Sequence, residues 1–157
     1  MVASQPGQQG AAAGPDGLVD ALAQAAFATM AVLTKAAADH DLSLTQLRVL
    51  AILRDRRLRM TALADYLGLE KSTMSGLVER AERRGLLERA PSMTDGRAVD
   101  VFLSPAGAEL AERLYAQVRR SLSPVTSELA PAGQRRLQTL LERLLSRPGA
   151  TASPGER

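Results

Sequence analysis

The chain has 157 residues, enough for one domain with a sizeable core but not for two independent ones. It holds no cysteine and a single histidine, His40, which excludes disulfides, thiolate zinc sites, cysteine nucleophiles and multi-histidine metal centres. The formal charge is only +3, so the placement of charge along the chain matters more than its sum.

Residues 1–16, MVASQPGQQGAAAGPD, lack the basic start and apolar centre of a secretory signal. Their Gly, Gln, Ala and Pro content predicts a disordered arm, as does that of the tail over 147–157. No apolar run is expected to reach the length that spans a bilayer, so the protein is read as cytoplasmic, with no membrane partner. Four aromatic residues in all, Phe27, Tyr66, Phe102 and Tyr115, leave the core to Leu, Val, Ala and Met, a composition that favours helices.

A first helix is predicted over 17–39, capped by Asp16, with Leu18, Leu22, Ala25, Met30, Leu33 and Ala37 at helical spacing. A second opens on Ser43-Leu44-Thr45-Gln46, a capping-box pattern, and its Leu47, Val49, Leu50, Ile52 and Leu53 make it the buried helix. Thr61 is expected to cap a third over 62–67 that stops at Gly68, and a fourth runs over 71–84 to Gly85. Two paired strands follow over 86–90 and 98–103, the second with Val99, Val101 and Leu103 on one face and Asp100 and Phe102 on the other. Turn residues from Pro91 to Gly96 separate them. Ser104-Pro105 starts a fifth helix as N-cap and first residue, a break is expected at Ser123-Pro124, and a sixth helix after Pro131 carries Leu137, Leu140, Leu141, Leu144 and Leu145.

Helix, turn, helix and hairpin in that order describe a winged helix-turn-helix over 42–104, in which one helix enters the DNA major groove and the hairpin reaches beside it. On the fourth helix Met74, Leu77, Val78 and Ala81 face inward. The opposite side offers Ser72, Thr73, Ser75, Gly76, Glu79, Arg80, Arg83 and Arg84, with Lys71 at its start as a further phosphate candidate. Small hydroxyl residues let a helix sit deep in a groove and hydrogen-bond base edges, and the arginines beyond them suit phosphates. Ser, Thr and Gly are mediocre helix formers, which argues against a face meant only for solvent. Ten Lys/Arg against seven acids between positions 54 and 97 strengthen the phosphate reading over that of a plain solvated face.

Arg97, at the tip of the hairpin, is placed to enter a narrow minor groove, with Asp95 holding its guanidinium; the bland reading of the pair is a surface salt bridge. His40, between Asp39 and Asp41, is read first as a capping or solvent-facing residue, and second as part of a ligand pocket or a pH-sensitive group. The helices over 17–41 and 105–146 carry more Leu than so small a lobe buries alone. A homodimer interface is favoured there over an intramolecular bundle.

The stretch from Leu42 to Gly107, LSLTQLRVLAIL followed by MTALADYLGLEKSTMSGLVERAERRGLLERAPSMTDGRAVDVFLSPAG, resembles the MarR family of bacterial transcriptional regulators. Its most specific elements are ERRGLLER, Asp95-x-Arg97 and Leu103-Ser104-Pro105-Ala106-Gly107. The resemblance implies a mainly α homodimer whose terminal helices pair and whose two winged lobes straddle a pseudo-palindromic operator in double-stranded DNA. It places Ser72, Thr73, Ser75 and Gly76 at bases, Arg80 and Arg84 at phosphates and Arg97 in the minor groove. It also implies a repressor released by a small aromatic or anionic effector, with no catalytic residue, metal or cofactor. Three departures stand out: Glu70 where a Ser or Thr cap is usual, Ala81 for a larger apolar residue, and Gly76 where relatives place a side chain. The absence of cysteine excludes thiol-based sensing of the family's peroxide-responsive branch, and one histidine argues against its zinc-sensing branch. The rival reading is a winged-helix module that binds a protein partner and no specific DNA.

Overall fold

The computed structural model describes residues 14–93 and 95–146. Both segments expected to be disordered lie wholly or mostly outside that range. Helix α1 (Pro15–Ala38) begins two residues earlier than predicted. Pro15 takes the first helical position, where its missing N–H costs nothing, and Asp16 lies in the first turn instead of capping it. Only Ala36 and Ala37 of this helix are buried, whereas Leu18, Val19, Leu22 and Phe27 are exposed. An 18-residue window within Asp16–Ala38 reaches a mean hydropathy of 1.5, so by length and composition alone the helix could cross a bilayer. That corrects the expectation that no such run exists. Its many alanines add hydropathy without the bulk that marks an apolar run by eye.

Helix α2 (Leu44–Leu53) carries the predicted capping box. The Gln46 N–H donates to Ser43 Oγ at 3.1 Å, and the Ser43 N–H donates to Gln46 Oε1 at 2.8 Å. It is the buried helix, with Val49, Leu50 and Leu53 at most 2% exposed. Strand β1 (Leu58–Arg59) runs directly into α3 (Met60–Leu67). Thr61 therefore falls inside the helix and Arg59 takes the cap position without a side-chain bond, contrary to expectation. Gly68 ends α3 at φ 65° and Gly85 follows α4 (Lys71–Arg83) at φ 70°, both left-handed positions that favour glycine.

Strands β2 (Leu87–Pro91) and β3 (Val99–Leu103) form the hairpin, and β1 adds to the far side of β3 in the order β1-β3-β2. All pairs are antiparallel, with Leu58 opposite Val101 and Leu87 opposite Leu103. Val101, in the middle strand, is fully buried.

Helix α5 (Pro105–Thr126) begins as predicted, the Gly107 N–H donating to Ser104 Oγ at 2.9 Å. It does not break at Ser123-Pro124. Pro124 sits in the last turn, where it removes a single bond near an end that would fray anyway. Helix α6 (Pro131–Leu145) has no buried residue at all.

Helices α2 to α5 and the sheet enclose one core whose fully buried large side chains are Val49, Leu63, Met74, Val78 and Val101. Ser104 ties the two ends of the wing together. Its hydroxyl donates to the Gly85 carbonyl at 2.5 Å, and its N–H to Leu86 O at 3.1 Å. A Cβ on Gly107 would lie 1.9 Å from Leu86 O. Because the obstacle is backbone, Gly107→Ala should cost about 3 kcal/mol, the upper end for overpacking. A urea unfolding midpoint close to that of the parent would show that the two segments separate freely.

Candidate nucleic-acid interface

Helix α4 is positioned by its inner face. Met74, Leu77, Val78 and Ala81 are no more than 5% exposed and pack into the core, so the helix cannot turn about its own axis. Ala81 is buried and borders a small void that Leu77, Leu86 and Leu87 also line. The outer face follows from that rotation: Lys71, Ser72, Thr73 and Arg80 are exposed, and Ser75 and Gly76 half-buried. Gly76 gives a second benefit there. The Arg80 guanidinium folds back over it, 3.5 Å from where a Cβ would stand, the direction in which helical side chains lean. Glu70 makes no side-chain cap bond, so the first-turn N–H groups of α4 keep their positive end open towards solvent.

The basic residues divide sharply. Arg83 pairs with Glu79 one turn away at 3.0 Å, Arg89 with Glu82 at 2.6 Å, and Arg56 with Asp55 at 2.8 Å. That last contact holds the Asp55 carboxyl below its ordinary range. Arg57 lies over the Phe102 ring at 3.8 Å. Among the described residues Lys71, Arg80 and Arg97 have guanidinium or ammonium groups with no acidic partner. Lys71 and Arg80 share the outer side of α4 with the hydroxyl row, and Arg97 lies in the turn of the hairpin.

Arg84 departs from expectation. Its Nη1 donates to Asp41 O at 2.7 Å and its Nη2 to His40 O at 3.1 Å, so it binds the turn between α1 and α2 and does not join the outer face of α4. The role foreseen for Asp95 also changes. Its carboxylate accepts the Arg97 backbone N–H at 3.1 Å and faces Arg59 Nη1 at 3.9 Å, leaving the Arg97 guanidinium unheld. The Ala98 N–H closes the turn on Asp95 O at 2.9 Å. The link from Arg59 was not legible in sequence, because a two-residue strand inside a charged run shows no alternation.

His40 is half-buried. Gln117 Nε2 donates to Asp39 Oδ2 at 2.8 Å, which leaves Gln117 Oε1 to accept from His40 Nε2 at 3.3 Å. Lys35 binds the same Asp39 at 3.0 Å; with Gln117 it holds that carboxyl below its usual range. The first reading of His40, capping or solvent, is replaced by a bridge from the turn to α5.

A cavity of about 260 Å³ lies between α1, α2 and α5. Its walls are aliphatic, including Leu33, Leu50, Leu114 and Val118, and Arg54 and Tyr115 are its polar groups. The Arg54 guanidinium stacks on the Tyr115 ring at 3.9 Å and lies 3.7 Å from Glu112. No group of three or more His, Cys, Asp or Glu able to hold a metal occurs among the described residues.

The MarR family model matches residues 40–98. An uncharacterized HTH-type transcriptional regulator of Bacillus subtilis is 30% identical over 93 residues, 56% of this chain, and the chain spans 58% of that relative's length. The homoprotocatechuate degradative operon repressor of Escherichia coli is 26% identical over 132 residues, 83% of this chain and 89% of the repressor. The fold is that of a MarR mutant from E. coli solved in complex with operator DNA, at TM-score 0.64 and 22% identity over 82% of this chain and 93% of that one.

Replacing Asp95 by Ala should speed hydrogen exchange of the Arg97 amide by at least tenfold, since a charge-assisted bond worth about 1.5–3 kcal/mol is lost. Asp95→Asn, which keeps an acceptor oxygen, should stay near the parent rate. Equal rates in all three proteins would mean that the carboxylate does not order the wing tip.

Proposed function

We propose that the chain is a member of the MarR family, whose model matches residues 40–98, and a homodimeric, sequence-specific repressor that binds double-stranded DNA and is released by a small organic anion. The observation that carries this reading is the outer face of α4, where hydroxyls stand with the unpaired Lys71 and Arg80, followed in the chain by a hairpin that carries the unpaired Arg97. Ser72, Thr73, Ser75 and Gly76 meet bases in the major groove, Lys71 and Arg80 meet phosphates, and Arg97 enters the minor groove, its backbone ordered by Asp95; Arg83, foreseen at phosphates, is held by Glu79. A protein-binding module would present apolar side chains on this face, and α4 presents none. Bacterial DNA sets the place of action in the cytoplasm. No residue is assigned a catalytic role.

The second copy is argued from exposed apolar surface. Leu137, Leu140, Leu141, Leu144 and Leu145 of α6 are 39–64% exposed, and Phe27 of α1 is 77% exposed. Patches of this kind mark an interface, and a two-fold pair matches a palindromic operator. The effector is assigned to the cavity, whose aliphatic walls suit an apolar body and whose Arg54 suits a carboxylate.

Light scattering at micromolar concentration should give a mass of two chains, and removal of residues 131–157 should lower both solubility and DNA affinity. On a duplex enriched by the protein from a random-sequence pool, Arg80→Ala should make the fall of log affinity with log salt shallower by about 0.9 for each contact removed. Arg97→Ala should cost about 1–3 kcal/mol on the same duplex. A parent protein that enriches no duplex overturns the proposal. For the effector, phenylacetate should release the DNA, and Arg54→Ala should raise the required concentration about tenfold, as for loss of one charged hydrogen bond. Release at unchanged concentration would move the carboxylate site elsewhere.

A further inference from the structure

We infer that Arg84 is a positioning residue that locks the tilt of α4 to the lobe built by α1 and α5, and so sets the spacing at which two copies of α4 meet DNA. The inference rests on the DNA-binding reading above. Arg84 occupies the C-cap of α4, the far end of that helix from its exposed hydroxyls. Its planar fork spans two successive carbonyls, His40 O and Asp41 O, across 44 and 43 residues of sequence. Lysine could satisfy only one such geometry at a time, because its ammonium is a point charge on a flexible stem.

The turn it grips is itself anchored. Asp41 has φ 54°, the only positive φ at a non-glycine residue among those described, a conformation held by its surroundings and not by preference. The Leu42 N–H donates back to Ala37 O at 2.9 Å, and Leu42 is buried. On the other side, His40 Nε2 and Asp39 Oδ2 both bind the amide of Gln117 on α5. A continuous chain of polar contacts therefore runs from the end of α4 through the turn into α5. Gln117 stands between Tyr115 and Val118, two residues that line the cavity. A shift of α5 against α1 reaches Arg84 through bonds that have no slack.

For a protein that reads two half-sites at once, the relative placement of the two reading helices decides which half-site separation is accepted. Loosening Arg84 leaves every DNA-facing side chain in place but lets α4 rock. The test is selection from a random-sequence pool, followed by titration of the enriched duplex with half-site separation varied by single base pairs. Arg84→Ala and Arg84→Lys should both accept separations that the parent rejects, lose about tenfold on the preferred one, and keep the parent's salt slope. Gln117→Leu, far from α4, should broaden the separation in the same way, and adding it to Arg84→Ala should bring little more.

A phosphate contact would read differently. Arg84→Ala would then lose affinity equally at all separations, with a salt slope shallower by about 0.9 per contact, and Arg84→Lys would bind as the parent does. That outcome overturns the inference and leaves the DNA-binding reading standing, as would separations unchanged in both variants. A parent that enriches no duplex overturns both. Thermal midpoints of the variants within a few degrees of the parent separate rocking of α4 from loss of the fold. If Arg84→Ala does not fold, Arg84→Lys and Gln117→Leu decide the matter.

Discussion

The end of α4 and the start of α5 meet at one seam, where Ser104 donates to Gly85 O and Leu86 O and Gly107 lies against the Leu86 backbone. Three things hang on it. The left-handed Gly85 ends α4, the chain leaves directly into β2, and β3 returns to the same point before α5 begins. The base of the wing is therefore pinned at a fixed place beside α4. The approach is close enough that only a residue without a Cβ can stand at 107, so the segment between these positions has few ways to move except at its tip.

Given that frame, most of the positive charge between positions 54 and 97 is engaged within the chain. Arg83, Arg89 and Arg56 face acids, Arg57 and Arg54 lie over rings, and Arg84 caps a turn. Exposed ion pairs of this sort add little stability. Their consequence lies in what they leave over: a few cations beside a row of hydroxyls at the open, positive end of α4. A formal charge of only +3 is compatible with a locally positive face, because the distribution of charge and not its sum sets the local potential.

The terminal helices show the opposite imbalance. The inner turns of α5 contribute Leu110, Ala111 and Leu114 to the core, while α6 contributes nothing and α1 only two alanines. Helices this short of buried contacts gain little from propensity alone. In the proposed dimer their leucines would gain burial energy from a second chain, which would tie the stability of the lobe to assembly.

Local rules carried much of the reading. The capping box at Ser43, the glycine stops at 68 and 85, the Ser104-Pro105 start and the inward stripe of α4 all depend on residues within a few positions of one another, so the sequence by itself determined them. The order of helices and hairpin, and hence the winged helix-turn-helix, followed from the same short-range patterns. Strand β1 escaped because its existence depends on β3, some forty residues on, and not on its own residues. The roles of Arg84, Asp95 and His40 escaped for the same reason: a long polar side chain exposed in sequence has many partners within reach, and only the packed fold selects one. For Arg84 the choice was between a phosphate and two carbonyls of a distant turn. Tertiary structure alone brought that turn within 2.7 Å.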